Sequence, residues 1–143
     1  MSVRARSFPA RMDAFPALAA FAETACGEAG LGSGDVLRVR LLLEELFSNT
    51  VHHGHGRDSD EPIEVALELT AREITIVYED TAPMFDPLAS LAPPTAAADA
   101  APEGRLGLVL VRGMAHDLLY ERVNGRNRLR LSLNASTKPR RPR

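Results

Sequence analysis

The chain has 143 residues, 45% of them hydrophobic, and 17 Lys and Arg against 19 Asp and Glu leave a formal charge of −2. This is one domain's worth of sequence with enough apolar side chains for a packed core, which excludes wholesale disorder. A near-neutral chain lacks the clustered basic surface that phosphate backbones require, and its longest uncharged apolar stretch, the nine residues 14–22, is far below the ~20 that span a bilayer. Neither direct nucleic-acid binding nor a membrane segment is expected.

The N-terminal segment is broken by Arg6, Arg11 and Asp13 where a secretory signal needs an apolar core, so a cytoplasmic address is expected. Val3 to Phe8 alternates apolar with Arg or Ser residues and predicts a short strand ended by Pro9. From Asp13, Phe15, Leu18, Ala19, Ala22 and Ala25 recur at helical spacing until Gly27, Gly30 and Gly32, which predicts a first helix. The lone Cys26 on it has no internal disulfide partner and reads as a buried thiol. Ser33 or Asp35 can cap a second helix carrying Val36, Val39, Leu43, Leu46 and Phe47, which Gly54 and Gly56 stop.

Ile63 to Leu69 and Ile74 to Asp80 alternate about a turn through Ala71 and Arg72, predicting an antiparallel hairpin. Pro87 to Pro102 is rich in Ala and Pro, has Asp99 as its one charge and follows no steady period, so a mobile loop is expected there. A third helix is expected from the glycines at 104 and 107, with Leu106, Val109, Leu110 and Met114 on one face. Leu118 to Val123 and Leu129 to Leu133 flank Asn124-Gly125, the preferred dipeptide of a two-residue hairpin turn. These elements predict an α+β fold, a two-layer sandwich whose mostly antiparallel, mixed sheet carries helices on one face. The domain is expected over 1–134, followed by a basic, disordered tail at 135–143.

Three places have residues suited to chemistry. Glu45 and Asn49 stand one helical turn apart on one face, where a carboxylate can take a proton and an amide oxygen can ligate a hard cation; solvent exposure explains such a pair equally well. Asp80 ends a strand, where its carboxylate can accept from an exocyclic amine or simply cap the following turn. Gly104-Arg105-Leu106-Gly107 precedes an apolar helix and can hold an anion on backbone N–H groups or serve as a tight connection. His52, His53 and His55 carry metal-capable nitrogens, yet a polar helix end beside a pocket accounts for them without a metal.

In this order the three places resemble the GHKL, or Bergerat-fold, histidine-kinase-like ATPases, and among them the anti-sigma serine kinases of the RsbW and SpoIIAB type. Residues 43–54, Leu-Glu-Glu-Leu-Phe-Ser-Asn-Thr-Val-His-His-Gly, resemble that family's N box. Residues 78–87 resemble its first glycine box, with Ala82 in place of a glycine. Residues 104–112 resemble the second glycine box, with Arg105 in place of another. The resemblance implies ATP and Mg2+ as cofactors, Glu45 as general base, Asn49 as magnesium ligand with His53 following it, and Asp80 against the adenine amine with Ala82 and Phe85 alongside. It implies a phosphate cradle at Gly104, Arg105, Leu106, Gly107 and Leu108, and a lid in the Ala/Pro segment.

The function so implied is a partner-switching kinase that phosphorylates a serine on a STAS-type anti-anti-sigma protein, with a sigma factor or other regulator as competing partner and a homodimer as one assembly. The alternative is a non-catalytic sequestering module in which Ala82 and Arg105 mark a degenerate nucleotide site. A detached sensor-kinase domain fits less well, because no dimerisation helix with a phosphoacceptor is present in the sequence.

Overall fold

The computed structural model describes residues 1–84 and 113–136. Within them the chain runs β1 (Ser2–Pro9), α1 (Phe15–Glu28), α2 (Ser33–Asn49), β2 (Pro62–Leu69), β3 (Glu73–Asp80), β4 (Asp117–Val123) and β5 (Arg126–Asn134). The five strands form one sheet in the order β1-β2-β3-β5-β4, and every pairing among them is antiparallel. No helix among the described residues is long and apolar enough to cross a membrane.

Register explains the two layers. Leu69, Ile74 and Leu133 lie abreast, as do Leu67, Ile76 and Leu131, then Val65, Tyr78 and Leu129, all buried on one face. Alternation puts those side chains under α1 and α2, whose Leu18, Leu42, Leu43 and Phe47 join the same core. Each such buried aliphatic or aromatic side chain contributes roughly 1.5–3 kcal/mol by leaving water. The opposite face carries ion pairs from Arg126 to Glu64, Arg128 to Glu79 and Glu121, and Arg130 to Glu68, the pattern of a solvated sheet surface.

The turns follow their residues. α1 ends with Gly30 at φ +78°, where Gly30 N donates to the Gly27 carbonyl and Leu31 N to that of Cys26, a Schellman closure. Asn124 and Gly125 take φ +50° and +77°, the two left-handed residues that a type I′ hairpin turn needs. Between β2 and β3 the Thr70 hydroxyl accepts from the N–H groups of Arg72 and Glu73.

The expected cap of α2 is not made. Gly32 occupies the N-cap with no side-chain bond, and Ser33 is already helical. Asp35 is withdrawn into the interior, where it accepts from Arg38 at 2.6 Å and from the Ser136 backbone N–H at 3.0 Å. Burial alone would raise its pKa, yet the hydrogen bonds from Arg38 and Ser136 outweigh it and hold the carboxyl below the usual range. This bond also ties down the start of the expected tail: Ala135 is buried and its N–H donates to the Arg72 carbonyl. The packed, hydrogen-bonded residues thus include Ala135 and Ser136. The segments expected as the Ala/Pro loop and, up to residue 112, as the third helix with the glycines at 104 and 107 lie outside the described residues; Gly113 and Met114 are helical and Met114 packs on the core.

Candidate functional site

Helix α2 leads into a π-helical turn, Thr50–Gly54, in which the Thr50 carbonyl accepts from His55 N at 2.8 Å. Such turns are rare and gather at functional sites. Here the turn brings Thr50 and Gly54 to the end of β3, and with Leu46, Asn49, Tyr78, Asp80, Ala82, Tyr120, Asn127 and Leu129 they line a pocket. Its walls are apolar or aromatic and its polar groups converge at one end, the make-up of a small-molecule site.

Asp80 is the centre of that polar end. Its residue is 8% exposed, Oδ2 accepts from the Thr50 hydroxyl at 2.8 Å, and Oδ1 accepts from Asn127 Nδ2 at 2.8 Å and Ala82 N at 3.2 Å. The Tyr78 hydroxyl lies 2.6 Å from Thr50 Oγ1 and 3.1 Å from the Leu46 carbonyl oxygen. Thr50 has one proton, and the carboxylate draws it most strongly; Tyr78 then donates to Thr50 or to Leu46. Burial pushes the Tyr78 phenol well above its usual pKa, the bond with Thr50 works the other way, and the charge of Asp80 adds to the rise. Tyr78 is thus a neutral donor throughout the physiological range.

Asn49, the last residue of α2, also lines the pocket, and its Nδ2 is buried with no hydrogen-bond partner among the described residues. An unpaired buried donor costs roughly 1–3 kcal/mol, and at Asn49 that donor belongs to a pocket-lining side chain. Glu45 is half-buried one turn earlier on the same helix, outside the pocket lining. His53 is exposed on the π-turn and does not line the pocket. Phe85, Gly104, Arg105, Leu106, Gly107 and Leu108 lie outside the described residues.

Ala82 is 1% exposed and its φ is not in the left-handed region, so the methyl that replaces a glycine brings no backbone strain. Space for it comes from across the pocket. A Cβ built on Gly54 would stand 2.8 Å from the Ala82 Cβ, closer than two carbon atoms can approach. The missing side chain at 54 thus accommodates the extra one at 82, and the backbone beyond Ala82 is held by Arg122, whose NH1 donates to the Ala82 carbonyl at 2.9 Å.

Sequence reasoning passed over Thr50, Tyr78, Tyr120, Arg122 and Asn127. Thr50 and Tyr78 were legible in principle, as polar tips at otherwise apolar positions. Tyr120, Arg122 and Asn127 are polar residues on a hairpin far along the chain, and only sheet register sets Asn127 opposite Asp80.

A cation is tested by the same donors. Among the described residues no three His, Cys, Asp or Glu side chains come together to cage a metal. Of the Asn49 amide only the oxygen could ligate a hard cation, since the unpaired Nδ2 is a donor.

A sheet covered by two helices, with a strand-end Asp80 and a helix-end Asn49 facing one pocket, is the arrangement of a nucleotide-binding α+β domain, and the model of the histidine kinase-like ATPase domain family matches residues 8–133. The chain belongs to that family of ATP-binding domains. It is similar to the serine/threonine-protein kinase BtrW of Bordetella bronchiseptica, with 34% identity over 98 residues that cover 67% of this chain and 68% of BtrW.

Proposed function

We propose that this protein is a cytoplasmic, partner-switching serine kinase. It would bind ATP with Asp80 reading the adenine amine, and transfer the γ-phosphoryl group to a serine of a STAS-type anti-anti-sigma protein while a sigma factor or other regulator competes for the same surface. The observation that carries the reading is the pocket lining, in which the buried Asp80 carboxylate and the Asn49 side chain stand with Leu46, Ala82 and Leu129. Asn49 would hold magnesium, which supplies charge neutralisation along the phosphates.

Glu45, one turn from Asn49, is assigned the role of accepting the proton of the serine hydroxyl as its oxygen forms the new bond to phosphorus. The bond from that phosphorus to the bridging oxygen breaks and ADP leaves with the electron pair. Glu45 has no ion pair or hydrogen bond with other described residues, which leaves its carboxylate available for this task. The room that Gly54 provides for Ala82 supports a working nucleotide site over a degenerate, sequestering one.

Calorimetric titration with ATP, with and without magnesium, tests binding: magnesium-dependent affinity that is lost in Asn49→Ala is expected. Transfer is tested on a STAS-type acceptor, where Glu45→Gln is expected to bind ATP normally and lose phosphotransfer by about 100-fold or more. No ATP binding by the folded protein leaves the sequestering module as the better account.

A further inference from the structure

Asp80 is not the only residue that its position explains. An ionised carboxylate offers about four lone-pair sites. Two on Oδ1 are taken by Asn127 Nδ2 and Ala82 N, and one on Oδ2 by Thr50. Among the described residues this leaves one acceptor site, on Oδ2, open to a ligand.

Asn127 is itself held on every side. Its Oδ1 accepts from the Tyr120 hydroxyl at 2.6 Å and from Arg122 NH1 at 3.0 Å, and its Nδ2 also reaches the carbonyls of Ala82 and Pro83 at 3.2 Å. A guanidinium can only donate, so Arg122 faces the amide oxygen and the amide nitrogen necessarily faces Asp80.

We propose that Asn127 is the positioning residue of this pocket: by occupying Oδ1 it leaves Asp80 one outward acceptor site and so makes the site selective for a purine with an exocyclic amine over one without. The inference rests on the ATP-binding reading above. A base lacking the amine leaves the second acceptor site of Oδ2 unfilled in a buried place and binds at a penalty. Without Asn127 the carboxylate has a second open acceptor site, on Oδ1, and can turn toward water, so the amine-free base loses that penalty. Tyr120 and Arg122 act one step further back, by fixing the amide.

The test is calorimetric titration of the whole chain, with magnesium, against ATP and against purine riboside 5′-triphosphate, which lacks the amine. Wild type is expected to favour ATP by about 10- to 100-fold, the worth of one hydrogen bond to a charged group. In Asn127→Leu the ratio is expected to fall to within about 3-fold of unity while both nucleotides still bind through their phosphates. Tyr120→Phe, which removes one oxygen and keeps the ring, is expected to lower the ratio several-fold and carries the test if the leucine variant does not fold.

A wild-type ratio in folded Asn127→Leu, or in Tyr120→Phe where the former does not fold, overturns the inference. Equal weakening of both nucleotides does so too, because a merely structural role produces it. Wild type that binds ATP without discrimination overturns the inference alone, whereas wild type that binds no ATP overturns the ATP reading with it.

Discussion

The two ends of α2 each carry a buried carboxylate cluster, and they are built differently. At the N-terminal end Asp35 is 2% exposed and meets a cation, Arg38, together with the Ser136 backbone. At the C-terminal end Asp80 is 8% exposed and, among the described residues, meets only neutral donors, with an Asn49 Nδ2 that has no partner among them in the same pocket. In the first cluster the charges cancel and the end of β5 is fastened to a helix, since Arg38 NH2 also donates to the Asn134 carbonyl, while Arg38 Nε stays buried with no partner among the described residues. The second retains acceptor and donor capacity. Neither burial nor a lone unpaired donor therefore marks a site by itself; what sets the second end apart is that its remaining capacity belongs to residues lining a pocket.

The sharpest way to break that comparison is to remove each carboxylate. Asp35→Ala leaves Arg38 without its partner and should cost about 2–4 kcal/mol of stability in denaturant unfolding, with the affinity for ATP unchanged. Asp80→Asn should do the reverse, weakening ATP by about 10- to 100-fold with a much smaller loss of stability. If Asp35→Ala lowers ATP affinity in the folded protein, the two ends are coupled and the division fails.

Next comes the steric pair. Gly54→Ala should destabilise by about 1–3 kcal/mol through its contact with Ala82, and Ala82→Gly in the same chain should restore most of that loss. Additive effects in the double mutant would show that the two positions do not share space.

Acid sharpens the contrast further. Because Asp35 has a lowered pKa in the folded state, its contribution is fully present above the unfolded carboxylate value, about 4, and is lost as pH falls through the lower folded value. Asp35→Asn should therefore flatten the acid limb of thermal stability measured between about pH 5 and pH 2.

The smallest effect is at Cys26. Burial, helped by the charge of Asp35, pushes its thiol up to about 11, so at pH 8 roughly one molecule in a thousand carries the reactive thiolate. Iodoacetamide should label it in denaturant and leave the native protein nearly untouched.

Much of this was legible along the chain because it depends on neighbours in sequence. Alternation gave β1, β2 and β3, glycine placement gave the end of α1, and Asn124-Gly125 gave the last hairpin, each a local consequence of side-chain period or backbone freedom. Glu45, Asn49 and Asp80 were legible as candidates for the same reason, since one helical turn or one strand end is a local fact. The cap was misread for want of tertiary knowledge: Asp35 has the right chemistry for a first turn, but Arg38 and Ser136 compete for it and win.

What the sequence determined by itself is the set of elements, the spacing of Glu45 and Asn49, and the family to which those motifs point. What only the tertiary structure decided is which distant residues share space. Asn127 meets Asp80 because β5 pairs with β3 in one register, and Ala82 fits because Gly54 lies across from it. Local propensities act over a few residues, whereas register and steric complementarity depend on how whole strands and turns come to rest against each other.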